Sequence, residues 1–217
     1  MSTLTEILNK YNTDKNETFH NYGRFYERYI KEFRDKPINY LEIGVWYGQS
    51  IKAMREYFHN CNAIVGIDIM PQTKIFENKD NKIFIEIGSQ NDVNFLNNVN
   101  TKHGGFDVIL DDGSHTFEDI WTSFITLFPL LNNKGMYIIE DVICIRDKLE
   151  PFYNFTKFLS KWRADVDETK NLPGSNCVDP FKIPLKTTNE FEYMIGDIVF
   201  TNSAIIIYKD VKDHWKM

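Results

Sequence analysis

The sequence has few cysteines, and their spacing fits no framework. Cys61, Cys144 and Cys177 are the three cysteines of the 217 residues, and none forms a Cys-x-x-Cys pair. An odd number without paired spacing argues against a disulfide framework and against a structural zinc site. We therefore expect a protein of the reducing cytoplasm that is large enough to bury a full core without such crosslinks.

Long apolar runs and an excess of positive charge are also missing. No apolar run approaches the roughly 20 residues of a membrane span, and the first residues lack the basic-then-apolar layout of a signal peptide. Lysine and arginine number 25 against 31 acidic residues, which gives a net charge of −6. This balance argues against nucleic acid and against an acidic membrane surface as partners.

Hydrophobic periodicity predicts two helices at the N-terminus, over residues 3–11 and 24–33. We divide the chain into an N-terminal helical cap, residues 1–36, and a core, residues 37–217, that together form one domain. The cap has two interpretations, a simple cover for one end of a sheet or a flap over a ligand. Composition alone favours the cover.

The core alternates apolar runs with helical patterns, which is typical of an α/β protein with a parallel sheet. Two further strands close the chain, and the three residues between them allow only an antiparallel pair. We therefore predict a seven-stranded, mostly parallel sheet that ends in an antiparallel hairpin. The predicted strands are 38–44, 63–69, 82–87, 108–110, 136–139, 191–200 and 204–208; the predicted helices are 50–58, 93–99, 117–131 and 149–162, and 164–189 is a long loop.

Acidic residues lie at the carboxyl ends of the predicted strands or immediately after them. Because parallel strands present their carboxyl ends at one edge, and ligands bind at that edge in open α/β sheets, these acids are expected to converge. So many carboxylates would repel a pyrophosphate and instead suit a cationic ligand, a divalent metal, or both. The acids are Glu42, Asp68, Asp111, Asp112, Glu140 and Asp141.

Three of these acids, Asp112, Glu140 and Asp141, end adjacent predicted strands and are candidates for sharing one hard cation. Ligation by carboxylates alone favours Mg²⁺ or Mn²⁺ over zinc. His115 follows three residues after Asp112. A lone histidine is more often structural, but its place beside expected metal ligands favours a general base that removes a proton from a hydroxyl whose pKa the metal lowers.

The remaining residues at this edge suit S-adenosylmethionine, which has a sulfonium, an ammonium and a ribose but no phosphate. Gly44 and Gly48 form a tight turn after the first core strand, although the dinucleotide fingerprint Gly-x-Gly-x-x-Gly is absent. Glu42 and Asp68 are placed for the amino group and the ribose. Asp68 has an equally good interpretation as a helix N-cap, and Ser89 and Gln90 are free to meet an adenine edge.

Several motifs together resemble class I S-adenosylmethionine-dependent methyltransferases, and within them the metal-dependent sugar O-methyltransferases of macrolides. The resemblance covers most of residues 11–143. It implies a Rossmann-like fold, metal ligation by Asp112, Glu140 and Asp141, His115 as general base, and cofactor contacts at Glu42, Gly44, Ser50, Asp68, Gln90 and Asp111. The motifs are Thr13-Asp14-Lys15, His20-Asn21-Tyr22, Leu41-Glu42-Ile43-Gly44 with Gly48 and Ser50, Gly66-Ile67-Asp68, Leu110 to His115, and Ile139-Glu140-Asp141.

The sequence therefore predicts an S-adenosylmethionine- and Mg²⁺-dependent O-methyltransferase that acts on a sugar hydroxyl of a glycan or glycosylated natural product. Its partners would be a small-molecule or glycan acceptor and, by analogy, further copies of the same chain. Three alternatives remain open: an O-methyltransferase of a small non-sugar hydroxyl such as a catechol, a nicotinamide-dependent oxidoreductase, and a binding module that has kept the fold without catalysis.

Overall fold

A computed structural model describes residues 1–153 and 194–211. Within these ranges one seven-stranded sheet has the order β3-β2-β1-β4-β5-β7-β6, in which the first five strands are parallel and β7 is antiparallel to both β5 and β6. The predicted sheet and its closing hairpin are confirmed. The strands are β1 Asn39–Ile43, β2 Ala63–Asp68, β3 Ile83–Ile87, β4 Val108–Asp111, β5 Met136–Ile139, β6 Ile195–Phe200 and β7 Ile205–Lys209.

Helices cover both faces of the sheet. The first of them begins with a capping box, in which the Thr3 hydroxyl accepts from the Glu6 amide at 3.2 Å and the Glu6 carboxylate accepts from the Thr3 amide at 2.8 Å. These two bonds satisfy backbone donors that a helix start leaves free. The α-helices are α1 Leu4–Lys10, α2 Gly23–Ile30, α3 Gln49–Tyr57, α4 Val93–His103 and α5 Phe117–Leu127.

Alternate residues of each strand enter different hydrophobic cores, because successive strand side chains point to opposite faces. Tyr40 packs in the core beneath α1, α2 and α3, whereas its neighbour Leu41 packs in the core beneath α4 and α5. The central strands are buried on both faces, which explains why they read as continuous apolar runs in the sequence.

Some predicted boundaries shift for local reasons. The helix predicted to reach residue 131 ends at Leu127, where a 3₁₀ turn, Phe128–Leu130, contains Pro129, a residue without an amide hydrogen. Conversely, α4 continues past residue 99 to His103 and ends where Gly104 adopts a φ of +79°.

The connection after β5 had no predicted structure. A 3₁₀ segment, Val142–Lys148, is separated from the end of the strand by two residues, and the next helix starts after that segment, close to the predicted residue 149. Most of that predicted helix, the long loop 164–189 and the first residues of the predicted strand 191–200 lie outside the described residues. None of the helices in the described ranges is long and apolar enough to cross a membrane.

Gly44, immediately after β1, offers a test of the tight approach between the β1 and β4 ends. Its φ is +94°, and an alanine Cβ there would lie 2.2 Å from the carbonyl oxygen of Asp112. Gly104 has a similar φ of +79°, but its nearest neighbour would be 3.9 Å away. We expect Gly44→Ala to lower the free energy of unfolding by about 3 kcal/mol or more, because it adds a backbone clash to the left-handed strain.

Gly104→Ala is the matched control, since it carries only the backbone strain of about 1–2 kcal/mol. Urea denaturation of both variants measures the difference. Equal destabilisation would show that the packing of Gly44 against the Asp112 carbonyl contributes nothing.

Candidate active site

A cavity of about 480 Å³ lies at the carboxyl edge of the sheet, where the sequence placed the site. Its wall is built from the segments that follow β1, β2, β3 and β4, and from a stretch of the N-terminal segment that includes Lys15. Most of the predicted site residues line it. Those in the wall are Glu42, Gly44, Ser50, Asp68, Ser89, Gln90, Asp112 and His115; Asp111, Glu140 and Asp141 are not in the wall.

The turn after β1 is held by Asp68, which ends the neighbouring strand. Its Oδ2 accepts from the amides of Val45 and Trp46 at 2.9 and 3.0 Å, and its Oδ1 accepts from the amide of Met70 at 2.8 Å. Trp46 has a φ of +46°, a conformation that a bulky residue adopts only when its surroundings impose it. Asp68 therefore shapes the glycine-containing turn.

Asp111 lies beneath the cavity instead of facing it. Its carboxylate accepts from Ser123 Oγ at 2.5 Å, Tyr137 OH at 2.9 Å and Gln90 Nε2 at 3.1 Å. Burial raises the pKa of Asp111 to about 6. The Gln90 carbonyl oxygen in turn accepts from the amide of Ser114 at 2.8 Å. Asp111 thus orients Gln90, and Gln90 holds the loop that carries His115.

The ends of β4 and β5 bring three side chains together at the rim. His115 Nε2 lies 3.0 Å from Asp112 Oδ1 and 3.7 Å from Asp141 Oδ2. One ligand atom from each of the three residues fits within 4.8 Å of the others. An imidazole and two carboxylates at this spacing are a suitable donor set for a divalent cation.

Two of these three residues have unusual backbone conformations. His115 has a φ of +55° and Asp141 a φ of +50°. Such a residue costs on the order of 1–3 kcal/mol unless its surroundings compensate. The surrounding structure therefore imposes these two backbone conformations, which local preference would not favour.

Glu140 lies deeper, and its contacts are with the N-terminal segment. Tyr26 donates its hydroxyl to Glu140 Oε1, and the Lys15 ammonium lies 3.1 Å from Glu140 Oε2. The same ammonium lies 2.5 Å from Asp112 Oδ2. Glu140 therefore reaches the rim cluster through Lys15, which bridges it to Asp112.

Lys15, Tyr22 and Tyr26 are functional candidates that were not predicted individually from the sequence. Tyr22 donates its hydroxyl to Asp141 Oδ1 at 2.5 Å, so each of the two acids after β5 accepts from a tyrosine of the N-terminal segment. The motifs Thr13-Asp14-Lys15 and His20-Asn21-Tyr22 were the available signal. Composition favoured the interpretation as a simple cover because the aromatic residues here also fit a packing face.

Burial and the nearby cations compete in setting the pKa values of these acids. Burial alone would raise the pKa of Asp112, but Lys15 and His115 outweigh it and bring it down to about 2. For Glu42 burial wins against the opposing effect of Lys15 and raises its pKa to about 7. The hydrogen bond to Asp112 raises the pKa of His115.

The pKa of Glu42 predicts an unusual pH dependence of folding. The folded pKa of about 7 lies above the ordinary value of 4.5, so folding favours the protonated carboxyl group. In the protein without bound ligands, the contribution of Glu42 to stability is therefore complete below pH 4.5. It is lost as the pH rises from there through 7. The loss amounts to about 3 kcal/mol. Urea denaturation between pH 5 and pH 8 measures it.

Glu42→Gln is expected to reduce the slope above pH 6, where the raised pKa of His115 still contributes, while Asp111 leaves a slope below that pH. Glu118→Gln, an exposed change in the first turn of α5, serves as the control and should leave the curve as in the wild type. A Glu42→Gln curve that keeps the wild-type slope above pH 6 would contradict the assignment.

Part of the chain is similar in sequence to a known family and to curated proteins. Residues 41–142 match a family described as a methyltransferase domain. This chain is 34% identical to two curated proteins over 146 residues, 64% of its length. They are the demethylmacrocin O-methyltransferase of Streptomyces fradiae and the mycinamicin VI 2''-O-methyltransferase of Micromonospora griseorubida. The matched region spans 36% of the length of each of these curated relatives.

A solved structure shares the fold over nearly the whole chain. The MycE methyltransferase from the mycinamycin biosynthetic pathway, in complex with Mg and SAH, superposes with a TM-score of 0.75 at 25% identity, covering 96% of this chain and 54% of that one. The resemblance to macrolide sugar O-methyltransferases that the motifs predicted is thus confirmed, and residues 41–142, which match the methyltransferase-domain family, lie within a Rossmann-like sheet.

Proposed function

We propose that this protein transfers a methyl group from S-adenosylmethionine to a sugar hydroxyl with the help of a divalent cation, Mg²⁺ or Mn²⁺. The observation that carries this proposal is the cluster of Asp112, His115 and Asp141, whose ligand atoms lie within 4.8 Å of one another beside the cavity. Within this cluster Asp112 and Asp141 supply the carboxylate oxygens that a hard cation prefers, and His115 stands beside them. Asp112, Asp141 and Glu140 are the proposed ligands, Glu140 being linked to Asp112 through Lys15.

The side chains of the cavity wall favour S-adenosylmethionine as the ligand. Among the described residues that line the cavity, Lys15 provides the one lysine or arginine side chain, and that side chain is ion-paired. A ligand without phosphate groups suits such a wall better than a nicotinamide dinucleotide does. The residues that we propose to contact S-adenosylmethionine are Glu42, Gly44, Ser50, Asp68, Ser89 and Gln90. Asp111 supports Gln90 from below by accepting its hydrogen bond.

His115 is the proposed general base. A divalent cation bound at the rim supplies positive charge that lowers the pKa of a hydroxyl beside it. The His115 imidazole takes the proton of the acceptor hydroxyl, and the oxygen then forms a bond to the methyl carbon as its bond to sulfur breaks. Asp112 orients the ring through the 3.0 Å contact with Nε2, which also stabilises the imidazolium that proton transfer creates.

The acceptor class is proposed from the relatives and from the mouth of the cavity. The named relatives act on macrolides. Trp46 and Tyr47 line the cavity, are 56% and 60% exposed, and place their ring centroids 4.6 Å apart. Such rings offer flat apolar faces beside polar groups, as a glycosylated small molecule requires.

A panel of glycosides and catechols as acceptors distinguishes a sugar hydroxyl from a small non-sugar hydroxyl as the site of methylation.

Replacement of His115 tests the proposed base. We expect His115→Ala to lower kcat by at least about a hundredfold, because a positioned base typically contributes that much. The affinity for S-adenosylmethionine, measured by calorimetry, should stay within a few-fold of the wild type. His59→Ala, at an exposed site beside Asp35, is the control. Undiminished turnover in His115→Ala would remove this residue as the base.

Metal removal tests the proposed cation. Methyl transfer should stop in EDTA and return on addition of excess Mg²⁺, and Asp141→Asn should raise the Mg²⁺ concentration needed for half-maximal rate by about tenfold or more. Asp35→Asn, an exposed carboxylate, should respond as the wild type does. Full activity in EDTA would exclude a catalytic cation.

A further inference from the structure

The Lys15 ammonium is a buried positive charge at this site to which the proposed reaction gives no role. Its side chain is 2% exposed, and its Nζ lies 2.5 Å from Asp112 Oδ2, 3.1 Å from Glu140 Oε2 and 3.5 Å from Asp14 Oδ1. A fully buried lysine is rare unless acids pair with it. Here two of the partners, Asp112 and Glu140, follow the neighbouring strands β4 and β5. One ammonium therefore lies between the two carboxyl groups and reduces the repulsion between them.

The backbone around Lys15 is fixed independently of these ion pairs. The Lys15 carbonyl accepts from the amide of Tyr22 at 3.1 Å, and the amide of Thr13 donates to the Leu8 carbonyl at 3.2 Å. The side chain of Asn16 accepts from the amides of Thr18 and Phe19. The Lys15 ammonium is therefore presented to the two acids by an ordered loop.

Asp112 and Glu140 are also two of the three acids proposed to hold the divalent cation. Each carboxyl oxygen of Glu140 already has a partner, since Tyr26 donates to Oε1 and Lys15 lies against Oε2. A second cation that takes Glu140 Oε2 must share it with the ammonium or replace it. Two positive charges within a few ångströms of each other repel strongly where water is excluded.

We propose that Lys15 is an internal counter-ion that occupies the Asp112–Glu140 side of the cation site in the metal-free protein, and that the divalent cation binds in competition with it. This inference rests on the proposed function, because it uses the ligand set proposed there. It assigns Lys15 a positioning role: the ammonium keeps the two acids together before the cation arrives, and its displacement lowers the apparent affinity for the cation.

Titration with Mn²⁺, followed by the electron paramagnetic resonance signal of the free ion, tests this without any turnover. Lys15→Met removes the ammonium and keeps an unbranched side chain. We expect it to bind Mn²⁺ about tenfold tighter or more than the wild type, because the competing charge is gone. Without metal it should melt at a lower temperature than the wild type, and Mn²⁺ should raise its melting temperature by more.

Three further variants make the result specific. Lys15→Gln is neutral but still donates hydrogen bonds, so it should also bind Mn²⁺ more tightly, and it replaces Lys15→Met if that variant does not fold. Lys15→Arg keeps the charge and should show no tightening. Lys10→Met removes a lysine from the end of α1 that pairs with Glu56 on the surface at 2.6 Å, and its Mn²⁺ affinity should equal that of the wild type.

Unchanged or weaker Mn²⁺ binding in a folded neutral variant would overturn the competition and show that Lys15 remains in place beside the cation. If the wild type at the same time transfers methyl groups in a Mg²⁺-dependent manner, the proposed function stands and this inference alone fails. Absence of Mn²⁺ binding in the wild type and in both neutral variants would overturn both proposals.

Discussion

Neutralisation of buried carboxylates at one edge of the sheet is the constraint on which the rest of this structure depends. Glu42, Asp111 and Glu140 are each 1% exposed, and an unpaired charge at such depth costs several kcal/mol. The ion pairs of Lys15 with Asp112 and Glu140, and the hydroxyl groups donated by neighbouring side chains, offset this cost. The fold can gather acids at the rim because it supplies a partner for each of them.

This constraint changes how the N-terminal segment is understood. The division into a cap, residues 1–36, and a core, residues 37–217, stays a prediction, but the two parts share one site. Lys15, Tyr22 and Tyr26 all reach acids that follow core strands. A segment that only covered the sheet would present apolar side chains; this one also presents an ammonium and two hydroxyls to the core.

The sequence predicted the sheet and the rim acids for a simple physical reason. Strands buried on both faces are predominantly apolar, so their carboxyl ends are visible where acids appear, as at Asp111, the last residue of β4, and at Glu140, which follows β5. The partners of those acids were less visible. Lys15 and Asp112 are 97 residues apart, and no local pattern encodes such a pairing. Likewise, an acid at a strand end reveals its position but not whether backbone amides, as at Asp68, already occupy its oxygens.

The insertion of β7 between β5 and β6 has a consequence for synthesis on the ribosome. The β5 strand, Met136–Ile139, pairs with β4 on one side, but its other side pairs with Ile205–Lys209, which is translated some 65 residues later. Until those residues emerge, the nascent chain exposes an apolar strand edge able to pair with other chains. Variants shortened at the C-terminus so that they lack β7 would keep that edge open permanently, and they would be prone to aggregation even where every rim residue is present.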